Sequence, residues 1–173
     1  MRKYVVSLTA LGAFAAIVAI GTFPMRTVAQ APEPEQRPAD AQPQPFNPQL
    51  SALMSMLIQP RHAKLGLAGQ AENWALAGYM FKELKAGFGV VGRAVPRWKG
   101  LPVPDLFDAA VSQPLALLDF AIKAQEPHQF AEGYARLTTG CNACHATTDH
   151  AFVVIKAPDS AAAFPNQDFQ LKR

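Results

Sequence analysis

The sequence contains very little cysteine. Its 173 residues include only Cys141 and Cys144, so a zinc site would lack the further cysteine ligands that it needs. The sequence also lacks the residue sets of common enzyme classes: we find no Ser/His/Asp set, no second cluster of metal ligands and no phosphate-binding loop. We therefore expect that the protein is not an enzyme.

The sequence also has little net charge once its first 29 residues are set aside. The whole chain has 16 basic and 13 acidic residues. Three of the basic residues lie before residue 30, so the remaining chain has equal numbers of both signs. This balance gives no basis for nucleic-acid binding and predicts little electrostatic steering of a partner. A small basic cluster that could contact a protein partner consists of Arg93, Arg97 and Lys99.

The N-terminal segment predicts export from the cytoplasm. Arg2 and Lys3 precede an apolar run over residues 4–20, and Thr27-Val28-Ala29 places small residues before a cleavage site. We therefore expect a signal peptide over residues 1–29 and a periplasmic location in a bacterium. The apolar run is long for a signal peptide and short for a spanning helix, so an uncleaved anchor in the inner membrane is the alternative.

The rest of the chain divides into three predicted regions. Residues 30–46 are rich in proline, glutamine and alanine, a composition that favours an extended, semi-rigid linker. Residues 47–150 show helical periodicity and are predicted to form one folded domain. Residues 151–173 are predicted to form an extended C-terminal tail that lies over this domain.

Apolar residues recur every three or four positions in four segments, which predicts four amphipathic helices. The first covers residues 50–65 and should be interrupted at Pro60. The third should be capped by Asp105, and the fourth should begin at Pro127. Because the connections are short, we predict an all-α fold, an antiparallel four-helix bundle with an extended C-terminal tail.

The fourth helix ends in the most informative motif, Cys141-Asn142-Ala143-Cys144-His145. Thiols at positions i and i+3 lie about one helical turn apart, so both can bond the two vinyl groups of one haem. The adjacent His145 is then the candidate proximal ligand of the iron. The motif predicts one covalently attached haem c; the alternatives are a structural or redox C-x-x-C pair and half of a zinc site.

The position of this motif resembles the arrangement in class II c-type cytochromes, the group of cytochrome c-prime and cytochrome c-556. The resemblance covers about residues 47–146 and implies haem thioethers at Cys141 and Cys144 and a proximal bond from His145. Class I cytochromes place the motif near their start and take an axial methionine from downstream. The last methionine here is Met80, so the class I fold is excluded.

The sixth ligand of the iron remains open in the sequence. In an antiparallel bundle the end of the fourth helix lies near the start of the first, so the chemically able candidates are Met54, Met56 and His62. At 100° per residue Met54 lies on the apolar stripe, His62 lies at its edge and Met56 points away. We take His62 as the candidate distal ligand, with Met54 as the alternative.

Two functions share this haem site and differ at the sixth ligand. Two strong axial ligands would favour electron transfer in the periplasm. Without a sixth ligand, an apolar distal side would leave five-coordinate iron that binds nitric oxide or carbon monoxide. The redox partner proteins are not identified by the sequence, a homodimer is a further option, and membrane contact is expected only through an uncleaved N-terminal segment.

Overall fold

The structure is a computed structural model that describes residues 47–170. The predicted signal peptide, the linker over residues 30–46 and residues 171–173 of the predicted tail lie outside the described residues. The described part is predominantly helical with very little strand, so the all-α prediction is confirmed at this level. The helices are α1 (Leu50–Leu53), α2 (Gln59–Gln70), α3 (Trp74–Ala94), α4 (Val103–Ala124) and α5 (Pro127–Thr147).

The predicted first helix contains a π-helical turn, Met54–Ile58, between α1 and α2. Pro60 lies in the first turn of α2, directly after this π turn. Proline has no N–H, and its ring collides with the carbonyl four residues earlier in a regular helix. A wider turn before Pro60 relieves that collision. The predicted interruption is therefore present, but it precedes Pro60.

The segment between α3 and α4 differs from the prediction. A short hairpin pairs strands β1 (Arg97–Trp98) and β2 (Leu101–Pro102) through Lys99 and Gly100, which both have positive φ angles, 47° and 82°. Two left-handed residues are typical of a tight hairpin turn. The helix α4 then begins at Val103. The prediction of Asp105 as the N-cap is wrong, because Pro104 already fits the first turn and Asp105 lies within it.

The helices share one hydrophobic core. The contacts between them join α2 with α3, α3 with α4, α4 with α5 and α2 with α5. Phe88 of α3 contacts Phe107 of α4, with ring centroids 5.0 Å apart. The most deeply buried large side chains are Leu65, Leu84, Val91, Val103, Leu118 and Leu137. Within residues 47–170, none of the helices combines the length and apolar character needed to span a membrane.

One end of this core is filled by aromatic rings, and we call it the aromatic end. Phe130, near the start of α5, contacts Trp74 edge-on and stacks on Tyr134, each with centroids 5.9 Å apart. Gly69 of α2 is required there, because a Cβ at this position would lie 1.9 Å from Phe130 Cε1. Phe130 therefore packs directly on the backbone of α2, and Phe169 of the C-terminal tail belongs to the same hydrophobic core.

The C-terminal tail runs from the end of α5 back to the aromatic end. The carbonyl of Pro158 accepts a hydrogen bond from Gln70 Nε2 (2.9 Å), and the carbonyl of Phe169 accepts one from Asn73 Nδ2 (3.2 Å). The Phe169 ring is only 4% exposed and belongs to the hydrophobic core. Apart from a 3₁₀ turn at Ala161–Ala163, the described tail has no helix or strand. Its backbone is held by side chains of the helices.

Candidate functional site

The C-x-x-C-H motif forms the last turns of α5. Cys141, Cys144 and His145 are each half-buried, and both cysteines are free thiols. Just before them, Gly140 lies against α4, where a Cβ would stand 2.1 Å from the carbonyl oxygen of Ala110. This close approach fixes the depth of α5 at the point where the motif begins.

Two cavities meet at the motif. The larger, which we call the motif cleft, has a volume of about 460 Å³ and is lined by Cys144 and His145. The smaller, the inner cavity, has a volume of about 70 Å³ and is lined by Cys141, His145 and His62. The residues that line both cavities are Met54, Ser55, His145 and Val153. The two thiols thus face adjoining spaces, with the imidazole of His145 at their common boundary.

The tautomer of His145 follows from its hydrogen bond. Its Nδ1 lies 2.7 Å from the carbonyl oxygen of Val153. A carbonyl oxygen can only accept, so Nδ1 carries a proton and, in the neutral ring, Nε2 keeps a free lone pair. A metal-binding histidine needs this arrangement, in which one ring nitrogen donates to a fixed acceptor and the other binds the metal. The ring is therefore prepared as a ligand.

Burial affects the acidity of both thiols of the motif. Burial, with a smaller contribution from neighbouring Cys144, raises the pKa of Cys141 to about 11. Burial also raises the pKa of Cys144. The reactive cysteines of redox C-x-x-C pairs have lowered pKa values. The raised values therefore argue against a redox pair at this motif.

His62 lies close to the motif, and each nitrogen of its ring lies within hydrogen-bond distance of a hydroxyl group. It is 2% exposed, with Nε2 lying 3.0 Å from Thr138 Oγ1 and Nδ1 lying 3.0 Å from the hydroxyl of Tyr134. Its ring stacks on Tyr134, with centroids 4.6 Å apart, and burial lowers its pKa to about 4. The ring is therefore neutral at pH 7, and it would have to break a hydrogen bond to bind iron. Its role as distal ligand stays a prediction.

The two methionines of the π turn differ sharply in position. Met54 is half-buried and lines both the motif cleft and the inner cavity, together with His145. Met56 is 68% exposed. Of the three residues considered for the sixth position, Met54 and His62 therefore lie near the motif. The π turn is the element that directs the Met54 side chain toward it, and such turns are frequent at functional sites.

Trp98 is a residue of the site that carries no sequence signal that we recognised. Trp98 of the hairpin and His150 also line the motif cleft, with ring centroids 5.2 Å apart. The hairpin is what brings Trp98 there, and no periodicity marks it in the sequence. The predicted basic cluster is not one site around this cleft, because Arg93 lines a separate groove between α3 and α4. Lys99 lies over the Trp98 ring at 4.6 Å.

Comparisons with known proteins do not indicate a function, so a functional assignment depends on these residues alone. No family model matches the chain, and no curated protein or solved structure matches it either. The donor set nevertheless fits a c-type haem: two free thiols one helical turn apart, a histidine with Nε2 available, and adjoining cavities of about 460 and 70 Å³ beside them.

Proposed function

We propose that this chain is a monohaem c-type cytochrome that transfers electrons between redox partners in the periplasm. The single observation that carries the proposal is the state of His145. Its Nδ1–H is held by the Val153 carbonyl, which leaves the Nε2 lone pair available, and His145 lines both the motif cleft and the inner cavity. A bound haem would supply one-electron redox chemistry at its iron.

The residues of the chain have separate roles in this proposal. Cys141 and Cys144 would hold the haem through thioethers, and His145 would bind its iron. Apolar side chains of α4 line the motif cleft and would keep water from the metal. Solvent access and the local dielectric constant are two of the factors that set a redox potential. The apolar side chains are Val103, Leu106 and Phe107.

The order of the helix contacts supports an antiparallel four-helix bundle of the class II type. Along α2 and α5, Gly69 adjoins Phe130 and His62 contacts Tyr134, so residue numbers rise in one helix as they fall in the other. Along α4 and α5, Leu118 adjoins Gly133, and the carbonyl of Ala110 adjoins Gly140. In such a bundle the end of α5 lies beside the start of the first helix.

We infer that Met54 would be the second residue of this chain to bind the iron of a bound haem. The thioether of Met54 lines the same two cavities as His145 and has no hydrogen bonds to lose. His62 would have to give up its contact with Thr138 or Tyr134. A histidine–methionine pair is a ligand set of electron-transfer cytochromes, in which methionine raises the redox potential.

The first experiment establishes the haem and its coordination. The full chain is purified after export, and absorption spectra are recorded as a pyridine haemochrome and with and without carbon monoxide. We expect a c-type haemochrome band and a low-spin ferrous spectrum that carbon monoxide does not change. Absence of the band would contradict the haem assignment. A high-spin ferrous spectrum that shifts with carbon monoxide would support the five-coordinate, gas-binding alternative.

A second experiment assigns the ligand. Met54→Leu keeps the volume of the side chain and removes the sulfur, so we expect high-spin ferrous iron that binds carbon monoxide. Met56→Leu is the matched control, because Met56 is exposed, and its spectrum should equal that of the wild type. If His62→Gln gives the high-spin spectrum and Met54→Leu does not, His62 is the ligand.

A further inference from the structure

The hydrogen bond that sets the tautomer of His145 comes from the C-terminal tail. Val153, whose carbonyl accepts from Nδ1 of His145, lies eight residues beyond it along the chain. A tight reversal makes this contact reachable: the His150 N–H donates to the carbonyl of His145 (2.7 Å), and Asp149 has a φ of 61°. The position of the Val153 carbonyl oxygen therefore depends on how firmly the tail is held.

Asn142 fastens this part of the tail to the motif. Its Nδ2 donates to the carbonyl of Ile155 (2.9 Å), and its Oδ1 accepts from the N–H of the same residue (2.7 Å). Both polar groups of one tail residue are thus paired with one side chain, much as two residues pair across a sheet. Ile155 lies two residues beyond Val153, so this pair fixes the backbone immediately next to the acceptor.

We propose that Asn142 is a positioning residue for the proximal histidine: it clamps the tail so that the Val153 carbonyl holds Nδ1–H of His145. This inference rests on the proposed function. A fixed acceptor orients the imidazole and makes it a stronger electron donor to the metal. The ferric state is then favoured over the ferrous state, and the redox potential is lowered.

A second anchor of the tail, Gln70, provides a matched control. Gln70 also holds the tail by a side-chain hydrogen bond, from Nε2 to the carbonyl of Pro158. It is exposed and belongs to α2, and it does not line either cavity at the motif. Loss of this bond loosens the tail without touching the segment from Val153 to Ile155.

The experiment measures the midpoint potential of the full-length, haem-loaded protein in the wild type, Asn142→Ala and Gln70→Ala. We expect Asn142→Ala to raise the midpoint potential by up to about 59 mV. For one electron this corresponds to a tenfold change in the ratio of ferric to ferrous protein. Gln70→Ala should leave the potential unchanged, even where both variants lower the thermal unfolding temperature. Equal potentials in all three proteins, or equal shifts in both variants, overturn the proposal.

Two further measurements keep the test decisive. Asn142→Asp keeps the acceptor for the Ile155 N–H and loses the donor, so it should fold where Asn142→Ala does not and give a smaller rise in potential. Nitrogen-15 histidine spectra of the full chain report the tautomer of His145 directly. Should the haemochrome assay fail, the proposed function falls, and the wild-type spectrum still tests this contact. An Nε2–H tautomer in that spectrum overturns the inference.

Discussion

The two ends of the helical domain are built in different ways. At the aromatic end, side chains fill the space: Phe130 packs on Gly69 and Trp74, and Phe169 of the C-terminal tail is buried, with its carbonyl bonded to Asn73. At the motif end, the helices enclose cavities of about 460 and 70 Å³, and the contacts that hold the tail are hydrogen bonds.

We expect the two ends to contribute differently to stability and to the proposed function. Close packing at the aromatic end contributes dispersion and burial of apolar surface, which a substitution there would remove. The motif end keeps space beside His145 and uses directional bonds to position its polar groups. We therefore expect substitutions at the aromatic end to change mainly the free energy of unfolding. Substitutions at the motif end should change mainly the spectrum and the redox potential.

The largest stability effect is expected from Phe130→Ala. The side chain is 3% exposed and joins α5 to α2, so its removal should lower the free energy of unfolding by about 3–5 kcal/mol. Urea denaturation measures this change. Phe152→Ala is the matched control, because Phe152 is 80% exposed and should lose well under 1 kcal/mol. Similar losses in the two variants would contradict the contrast between the two ends.

The next largest effect is a pH dependence of the free energy of unfolding. It is caused by His62, which lies between the two ends. Burial lowers its pKa from 6.5 to about 4, so below pH 6.5 the unfolded chain binds a proton that the folded chain does not. The free energy of unfolding therefore has its full value above pH 6.5 and falls by up to about 3 kcal/mol as the pH approaches 4.

Urea denaturation at pH 7 and pH 4.5 measures this loss. The variant His62→Gln, which cannot take up the proton, should lose much less stability than the wild type over that interval. His128→Gln is the control, since His128 is exposed, and it should behave as the wild type does. A wild-type loss that His62→Gln reproduces in full would show that other groups cause it.

The smallest effect is expected from Met54→Ala at the motif end. Met54 is half-buried and already borders empty space, so we expect a loss of about 2 kcal/mol, at the low end for a methionine in a core. Met56→Ala should cost almost nothing, since that side chain is exposed. A loss for Met54→Ala as large as that for Phe130→Ala would mean that both ends depend equally on packing.

Helix positions could be predicted from the sequence because the apolar period of 3.6 residues is a local signal. The stripe of Phe130, Tyr134 and Leu137 is buried as its spacing indicates. The π turn was not predictable from periodicity, since it depends on how the chain relieves the collision at Pro60. Residues 152–155 are aromatic and β-branched, as is typical of strands, but they form no strand, because side chains of α5 rather than another strand pair with them.

At the candidate site, spacing alone indicated Cys141, Cys144 and His145 as one set. The helical wheel placed Met54 on the inner face and Met56 outside, in agreement with their exposure. It could not predict the two partners of His62, because Tyr134 and Thr138 lie more than 70 residues away. Asn142 occupies a variable position of the motif, and its pairing with Ile155 depends on a chain reversal that only the structure contains.

The burial of Phe169 has a consequence for the order of folding. Its contact with Asn73 spans 96 residues of sequence, so it forms late and only when nearly the whole chain is available. Until then the aromatic end lacks one of its rings, and the tail does not cover the motif. A folding chain therefore passes through a stage in which Cys141 and Cys144 are more accessible than in the folded protein. The C-terminal tail closes that stage when it reaches the core.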